Sequence, residues 1–188
     1  VITNTSHIIF DQNVPVVTNT TMNTMTALQY PQSIFATEDQ NICETSCISF
    51  LNQSESGTSY SWTFAGGNPA SSTSASPGLI CYSTAGNYDV TLITTNALGS
   101  DTLIQPAFIS VATSPGVFSI VQSGDSLVAP QGFDSYQWYY NNNPIADDTL
   151  YYHVATQNGD YGVVVGNANG CESGVNIPNV IIGVEYLT

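Results

Sequence analysis

Few side chains in this sequence can do chemistry. The only imidazoles are His7 and His153, and the only thiols are Cys43, Cys47, Cys81 and Cys171. Acyl-transfer hydrolysis needs a nucleophile, a base and an orienting acid in contact, and no G-x-S-x-G nucleophile motif occurs. His7 lies in an unassigned N-terminal segment, and His153 follows Tyr151 and Tyr152 on an expected strand. No catalytic residue is therefore assigned, and the chain reads as a non-enzyme. Carboxylates pair at Glu38–Asp39 and Asp147–Asp148. With Asn141 and Asn143 nearby, the second pair could ligate calcium through oxygens. It lacks a D-x-D-x-D-G register, and a solvated hairpin loop is the competing reading. Cys43 and Cys47 form a C-x-x-x-C without the second pair that zinc needs. Calcium is the one cofactor left open, and no metal ligand is assigned.

The missing cations exclude more than the residues present suggest. The 188 residues hold 14 Asp plus Glu and no Lys or Arg, a formal charge of −14. An average chain of this length carries roughly 20 Lys plus Arg. Nucleic-acid binding needs cations to neutralise phosphates, so no nucleic-acid partner is expected. A P-loop lysine, a Schiff-base lysine and a Lys–Asn crosslink are equally excluded. Trypsin-like proteases find no cleavage site, and a uniformly anionic surface resists self-association. A salt-adapted, marine composition would produce the same bias. No stretch approaches the ~20 apolar residues of a membrane span, so no membrane insertion is expected. No signal peptide is visible, and Val1 reads as an internal start, that of a fragment or a processed product.

The elements that must position these residues are strands. Val, Ile, Thr, Tyr and Phe dominate short alternating runs separated by Gly, Asn, Pro and Ser. In Tyr88–Asn96, Tyr88, Val90 and Leu92 face one way while Asp89, Thr91 and Ile93 face the other, one face for a core and one for water. An internal repeat organises the chain. Ser59-Tyr-Ser-Trp62 recurs as Ser135-Tyr-Gln-Trp138, Gly86-Asn-Tyr-Asp-Val90 as Gly159-Asp-Tyr-Gly-Val163, and Asn96-Ala-Leu-Gly99 as Asn167-Ala-Asn-Gly170. The order is the same and the spacings are close, which predicts two tandem β-sandwich domains over residues 34–112 and 116–183, divided near Pro115–Gly116. Trp62, Tyr88, Trp138 and Tyr161 are the expected core anchors, with Phe64 beside Trp62. Residues 1–33 fit neither repeat. They form an extended N-terminal segment or the end of a preceding domain, with His7–Val17 read as a strand. Alternation in Trp138-Tyr-Tyr140 puts Trp138 and Tyr140 inside and Tyr139 outside. The clustered tyrosines there also suggest a stacking face for sugars.

The first repeat resembles the PKD domain found in secreted proteins of Bacteroidota. Trp62-Thr-Phe64-Ala-Gly66-Gly67, a Pro/Ser-rich stretch, then Tyr82-x-x-x-Gly86-x-Tyr88-x-Val90-x-Leu92-x-x-x-Asn96 carry the likeness. The second, from Tyr136-Gln-Trp138 to Cys171-Glu-Ser-Gly174, is similar to the Ig-like modules of the same proteins. The tail Ile181-Ile-Gly-Val-Glu-Tyr-Leu-Thr188 resembles the linker before the C-terminal sorting domain of type IX secretion cargo, so residues 184–188 are expected to lead towards that domain. An exported protein implies disulfides. Four cysteines allow three pairings. The resemblance favours Cys47–Cys81, worth about 3–4 kcal/mol through loop closure, and leaves Cys43 and Cys171 unassigned. A bond between those two would fasten the modules together. Asp101-Thr-Leu, Asp125-Ser-Leu and Asp148-Thr-Leu match the O-glycosylation pattern of those bacteria, with Thr102, Ser126 and Thr149 as acceptors.

Together these readings describe an all-β, non-catalytic module of an extracellular or cell-surface protein, acting as a stalk, spacer or adhesin. Its partners would be other domains of the same protein or cell-surface glycans. Two alternatives stand beside it: the accessory, carbohydrate-binding region of a secreted hydrolase, and a subunit that self-assembles into filaments by donating a strand to a neighbour's sheet edge.

Overall fold

A computed structural model describes residues 2–8, 16–23 and 28–183, and every regular element among them is a β-strand. Strands β1 (Ile2–Ile8) and β2 (Val16–Asn23) pair antiparallel as a separate two-stranded sheet. His7 and Val17, the ends of the single strand expected over His7–Val17, are instead cross-strand partners in this pair, so the expected strand is two; its residues 9–15 and the tail 184–188 lie outside the described residues. The first sandwich contains β3 (Phe35–Ala36), β4 (Asn41–Cys43), β5 (Ser46–Ser49), β6 (Leu51–Asn52), β7 (Ser59–Phe64), β8 (Gly67–Asn68), β9 (Ser71–Ser72), β10 (Leu79–Tyr82), β11 (Gly86–Asn96) and β12 (Gly99–Ala112). One layer has the order β4-β12-β11-β7-β9. The other has β5-β10-β8, with the short pair β3-β6 beside it. The second sandwich contains β13 (Val121–Ser123), β14 (Ser126–Val128), β15 (Ser135–Tyr140), β16 (Asn143–Pro144), β17 (Tyr152–Val154), β18 (Gly159–Gly166) and β19 (Glu172–Val180). Its layers are β16-β15-β18-β19 and β13-β14-β17. Both units are β-sandwiches, each with its own core between two layers.

Alternation decides which side chains meet between the layers. In β7, Trp62 and Phe64 point inward and are fully buried, while Ser61 and Thr63 point out. Their rings stack at 5.7 Å beneath Phe50 and Phe35. In β11, Val90 and Leu92 complete this core, and β10 adds Ile80 and Tyr82 from the facing layer. The second core gathers Trp138, Tyr161, Val163 and Val165 against Leu127, Ala129 and Val180. No buried residue belongs to both cores.

The repeat extends to hydrogen bonds. Trp62 Nε1 donates to the Ser74 carbonyl at 3.0 Å, and Trp138 Nε1 to the Leu150 carbonyl at 2.8 Å, each twelve residues along the chain. The Tyr88 hydroxyl donates to Thr84 O and the Tyr161 hydroxyl to Gln157 O, each four residues back. Tyr88 differs from its counterpart in burial. Tyr161 is interior, whereas Tyr88 is half-buried and lies over Gly66, where an added Cβ would stand 2.1 Å from its ring. Gly66 has a φ of +68°, so this turn needs glycine for both backbone and space.

Two features depart from the sequence reading. Ser33, expected in the N-terminal segment, belongs to the first sandwich. It is buried, its hydroxyl donates to Thr94 Oγ1 at 2.9 Å, and its amide donates to Asp101 Oδ2 at 2.7 Å. A lone serine carries no periodic signal, so only the fold reveals this tie. Each long hairpin also carries a bulge. β11 and β12 slip register between Tyr88 and Val90, and β18 and β19 between Gly159 and Tyr161. Opposite the slips, Ala107 and Asn179 hold φ values of 49° and 54°. Each follows a proline, Pro106 or Pro178, and each amide donates to an aspartate: Ala107 N to Asp89 Oδ1 at 2.7 Å and Asn179 N to Asp160 Oδ1 at 2.8 Å. Proline cannot donate to a ladder and so accumulates at bulges. The carboxylate satisfies the amide that the bulge leaves free.

Candidate functional site

The residues able to do chemistry converge most densely at the junction between the sandwiches. β4 pairs in parallel with the end of β12, placing Cys43 beside Ala112. Cys171 occupies the turn between β18 and β19, and Cys43 and Cys171 are joined by a disulfide with Cα atoms 5.7 Å apart. Cys171 is buried and Cys43 half-buried. Glu44, next in sequence, accepts from Ala85 N at 2.9 Å and from Ser114 N of the connecting segment at 3.2 Å. From the other module, Asn167 Nδ2 donates to Thr113 O at 2.6 Å. Its Oδ1 accepts from Cys171 N at 3.1 Å, so one asparagine both shapes the Cys171 turn and holds the connector. Pro115 is buried between these contacts. Open clefts of about 530 and 690 Å³ flank the bridge, the first lined by Asn87 and Asn169, the second by Glu44 and Glu172. They offer amides and carboxylates, with no cation and no base beside a nucleophile.

Cys47 and Cys81 face each other across β5 and β10 and form the second disulfide, with Cα atoms 3.9 Å apart. The bond lies on the outer side of that layer, because Ile48, Ile80 and Tyr82 take the inward positions. It therefore clips neighbouring strands within one sheet.

His153 is no bystander on a surface. It points inward from β17, its ring 5.6 Å from Trp138 and 5.1 Å from Tyr161, and its Nδ1 pairs with Asp148 Oδ2. Its Nε2 is buried without a partner. An Asp–His pair is two-thirds of a hydrolytic triad, but the free nitrogen faces the core and meets no nucleophile. The same pair changes the calcium reading, since an Asp148 oxygen is already engaged by imidazole. Among the described residues no group of three His, Cys, Asp or Glu side chains is arranged to hold a metal. His7 sits at the register slip of β1, opposite Val17.

The three acceptor hydroxyls lie on different elements, Thr102 in the first sandwich and Ser126 and Thr149 in the second. Thr102 is exposed on β12, Thr149 is exposed in the loop before β17, and Ser126 is half-exposed at the start of β14. The aspartates before them are all occupied: Asp101 accepts from Ser33 N, Asp125 from Gly183 N, and Asp148 pairs with His153. In the tyrosine cluster Tyr152 is exposed and the others are half-buried. Tyr139 and Tyr140 are half-buried, with Tyr140 packed at 5.0 Å from Tyr161, and Tyr151 meets Tyr152 edge-on. Tyr82 is fully buried with an unpartnered hydroxyl, and burial, aided by neighbouring Tyr88, pushes its phenol up from 10.0 to about 12.

Sequence reasoning missed Glu44, Asn167, Asp89 and Asp160. The bulge aspartates had a readable signal, the prolines inside otherwise regular strands. The junction pair had none, because it depends on how the two modules meet.

Residues 27–106 match the family described as the PKD domain. No curated protein matches the sequence. Among solved structures, the chain is similar to the titin domains Z1Z2 in complex with telethonin, at 14% identity over 86% of this chain and 100% of that one, with a TM-score of 0.36. It is also similar to the fibronectin(III)-like modules of Clostridium thermocellum CbhA, at 11% identity over 82% of this chain and 98% of that one, with a TM-score of 0.41.

Proposed function

We propose that this chain, matched to the PKD domain over residues 27–106 and Ig-like after it, is a non-catalytic spacer or adhesion module of an extracellular protein. Domains of these classes are generally structural or adhesive. The observation that carries the reading is the covalent junction, in which Cys43–Cys171, Glu44 and Asn167 fix two sandwiches that share no core residue. Stable disulfides belong to oxidising compartments, which supports a place outside the cytosol or on the cell surface. Carboxylates that would serve catalysis elsewhere here hold backbone amides at bulges and connectors. Export as a type IX cargo-like protein of Bacteroidota, with glycans or sister domains as partners and glycans on Thr102, Ser126 and Thr149, belongs to the same reading.

The test is made on purified, oxidised protein. Panels of glycoside and peptide substrates are expected to show no turnover, and reproducible hydrolysis lost on Asp148→Asn would overturn the assignment. Intact mass of protein from its native source tests the glycan proposal. A mass equal to the bare chain refutes it.

A further inference from the structure

We propose that the Cys43–Cys171 bond is a mechanical shunt that routes tension around both hydrophobic cores. The inference rests on the spacer reading and specifies how such a spacer would bear load. The bond spans 128 residues. Within that span lie Trp62, Trp138, the connector at Pro115 and the Cys47–Cys81 clip. A pull on the two ends of the chain enters through β3 and β4, crosses the sulfurs, and leaves along β19. The enclosed residues form a closed covalent loop that tension on the ends cannot lengthen.

The exit side is already taut. Cys171 immediately precedes β19, and β19 runs extended from Glu172 as far as the bulge at Asn179. An extended strand rises ~3.3 Å per residue, close to the limit of the chain, so the second sandwich transmits force along a single strand and gains almost no length. Among the described residues, Val180 is the one fully buried member of its core outside the loop, with half-buried Val175, Ile177 and Ile182 beside it, and Phe35 is the one buried aromatic of the first core outside it. Without the bond, the connector at residues 113–116 would carry the full load, held by Glu44 and Asn167 through single hydrogen bonds.

Single-molecule pulling on the whole chain from its two ends tests this. The span of 128 taken from 188 residues leaves 60 free to extend, on the order of 210 Å at ~3.5 Å per residue. Oxidised wild type is expected to stop there. The double variant Cys43→Ser/Cys171→Ser keeps the 34-residue clip, so it should extend by a further 128 less 34, or 94 residues, on the order of 330 Å. Wild type in reductant should gain all 128, on the order of 450 Å. Final extension does not depend on whether the variant folds. An oxidised wild type that extends as far as either comparison overturns the shunt. That outcome leaves the turnover assay untouched, and hydrolytic activity would overturn the spacer reading while leaving the extension intact.

Discussion

Replacing Trp138 by alanine should unfold the second sandwich and spare the first. The indole is fully buried, packs against His153, and donates from Nε1 to Leu150 O at 2.8 Å. Truncating a buried Trp costs about 3–5 kcal/mol, and the Leu150 carbonyl also loses its donor. Residues 116–183, at about 0.05–0.15 kcal/mol per residue, hold only about 3–10 kcal/mol in total. The loss is comparable with the whole stability of that unit. The first core contains no residue of the second, so its own stability should move by less than about 0.5 kcal/mol. The disulfide tethers the units without folding either. Hydrogen exchange read on peptic fragments checks this, with Trp62 left as the sole indole for fluorescence. Amides of β15 and β18 should lose protection while those of β7 and β11 keep it. Loss of protection in both units together would refute the reasoning, as would full protection in both.

Tyr82 carries a pH signature. Its folded pKa, raised from 10.0 to about 12, makes the neutral phenol a source of stability that is fully present below pH 10 and lost as pH rises towards 12. The loss should reach about 2 kcal/mol. Tyr82→Phe should match wild type at pH 8 and remove that decline, as read by denaturant melts from pH 8 to 12; parallel declines would contradict it. The bulge aspartates should act separately. Asp89→Ala is expected to cost the first unit about 1–2 kcal/mol, and Asp160→Ala the second by the same amount. Asn at either position retains an acceptor and should recover most of the loss, whereas an Asn variant as unstable as the Ala variant would show that charge alone matters.

The sequence displays the strands and the cores because both obey a period of two. Trp62 and Phe64, or Val163 and Val165, alternate with smaller or more exposed neighbours, and the repeated Trp and Tyr motifs set β7 against β15 and β11 against β18. The bulges were less visible, because Pro106 and Pro178 break the period without saying which carboxylate will reach across. The links of Ser33, His153 and Asn167 were invisible. Ser33 and Asn167 reach residues far along the chain, whose proximity follows from layer packing or module orientation, while His153 meets nearby Asp148 only because packing turns its ring inward from β17. The Cys43–Cys171 pair belongs to that class, since four cysteines alone permit three pairings.

The central claim is that two separately cored sandwiches are fastened covalently at their junction. Peptide mapping of the unreduced protein tests it most directly, using pepsin because the chain offers trypsin no site. The expected result is a fragment containing Cys43 joined to one containing Cys171, and Cys47 joined to Cys81. Alkylated Cys171, or a link from Cys43 to Cys47 or Cys81, would contradict it.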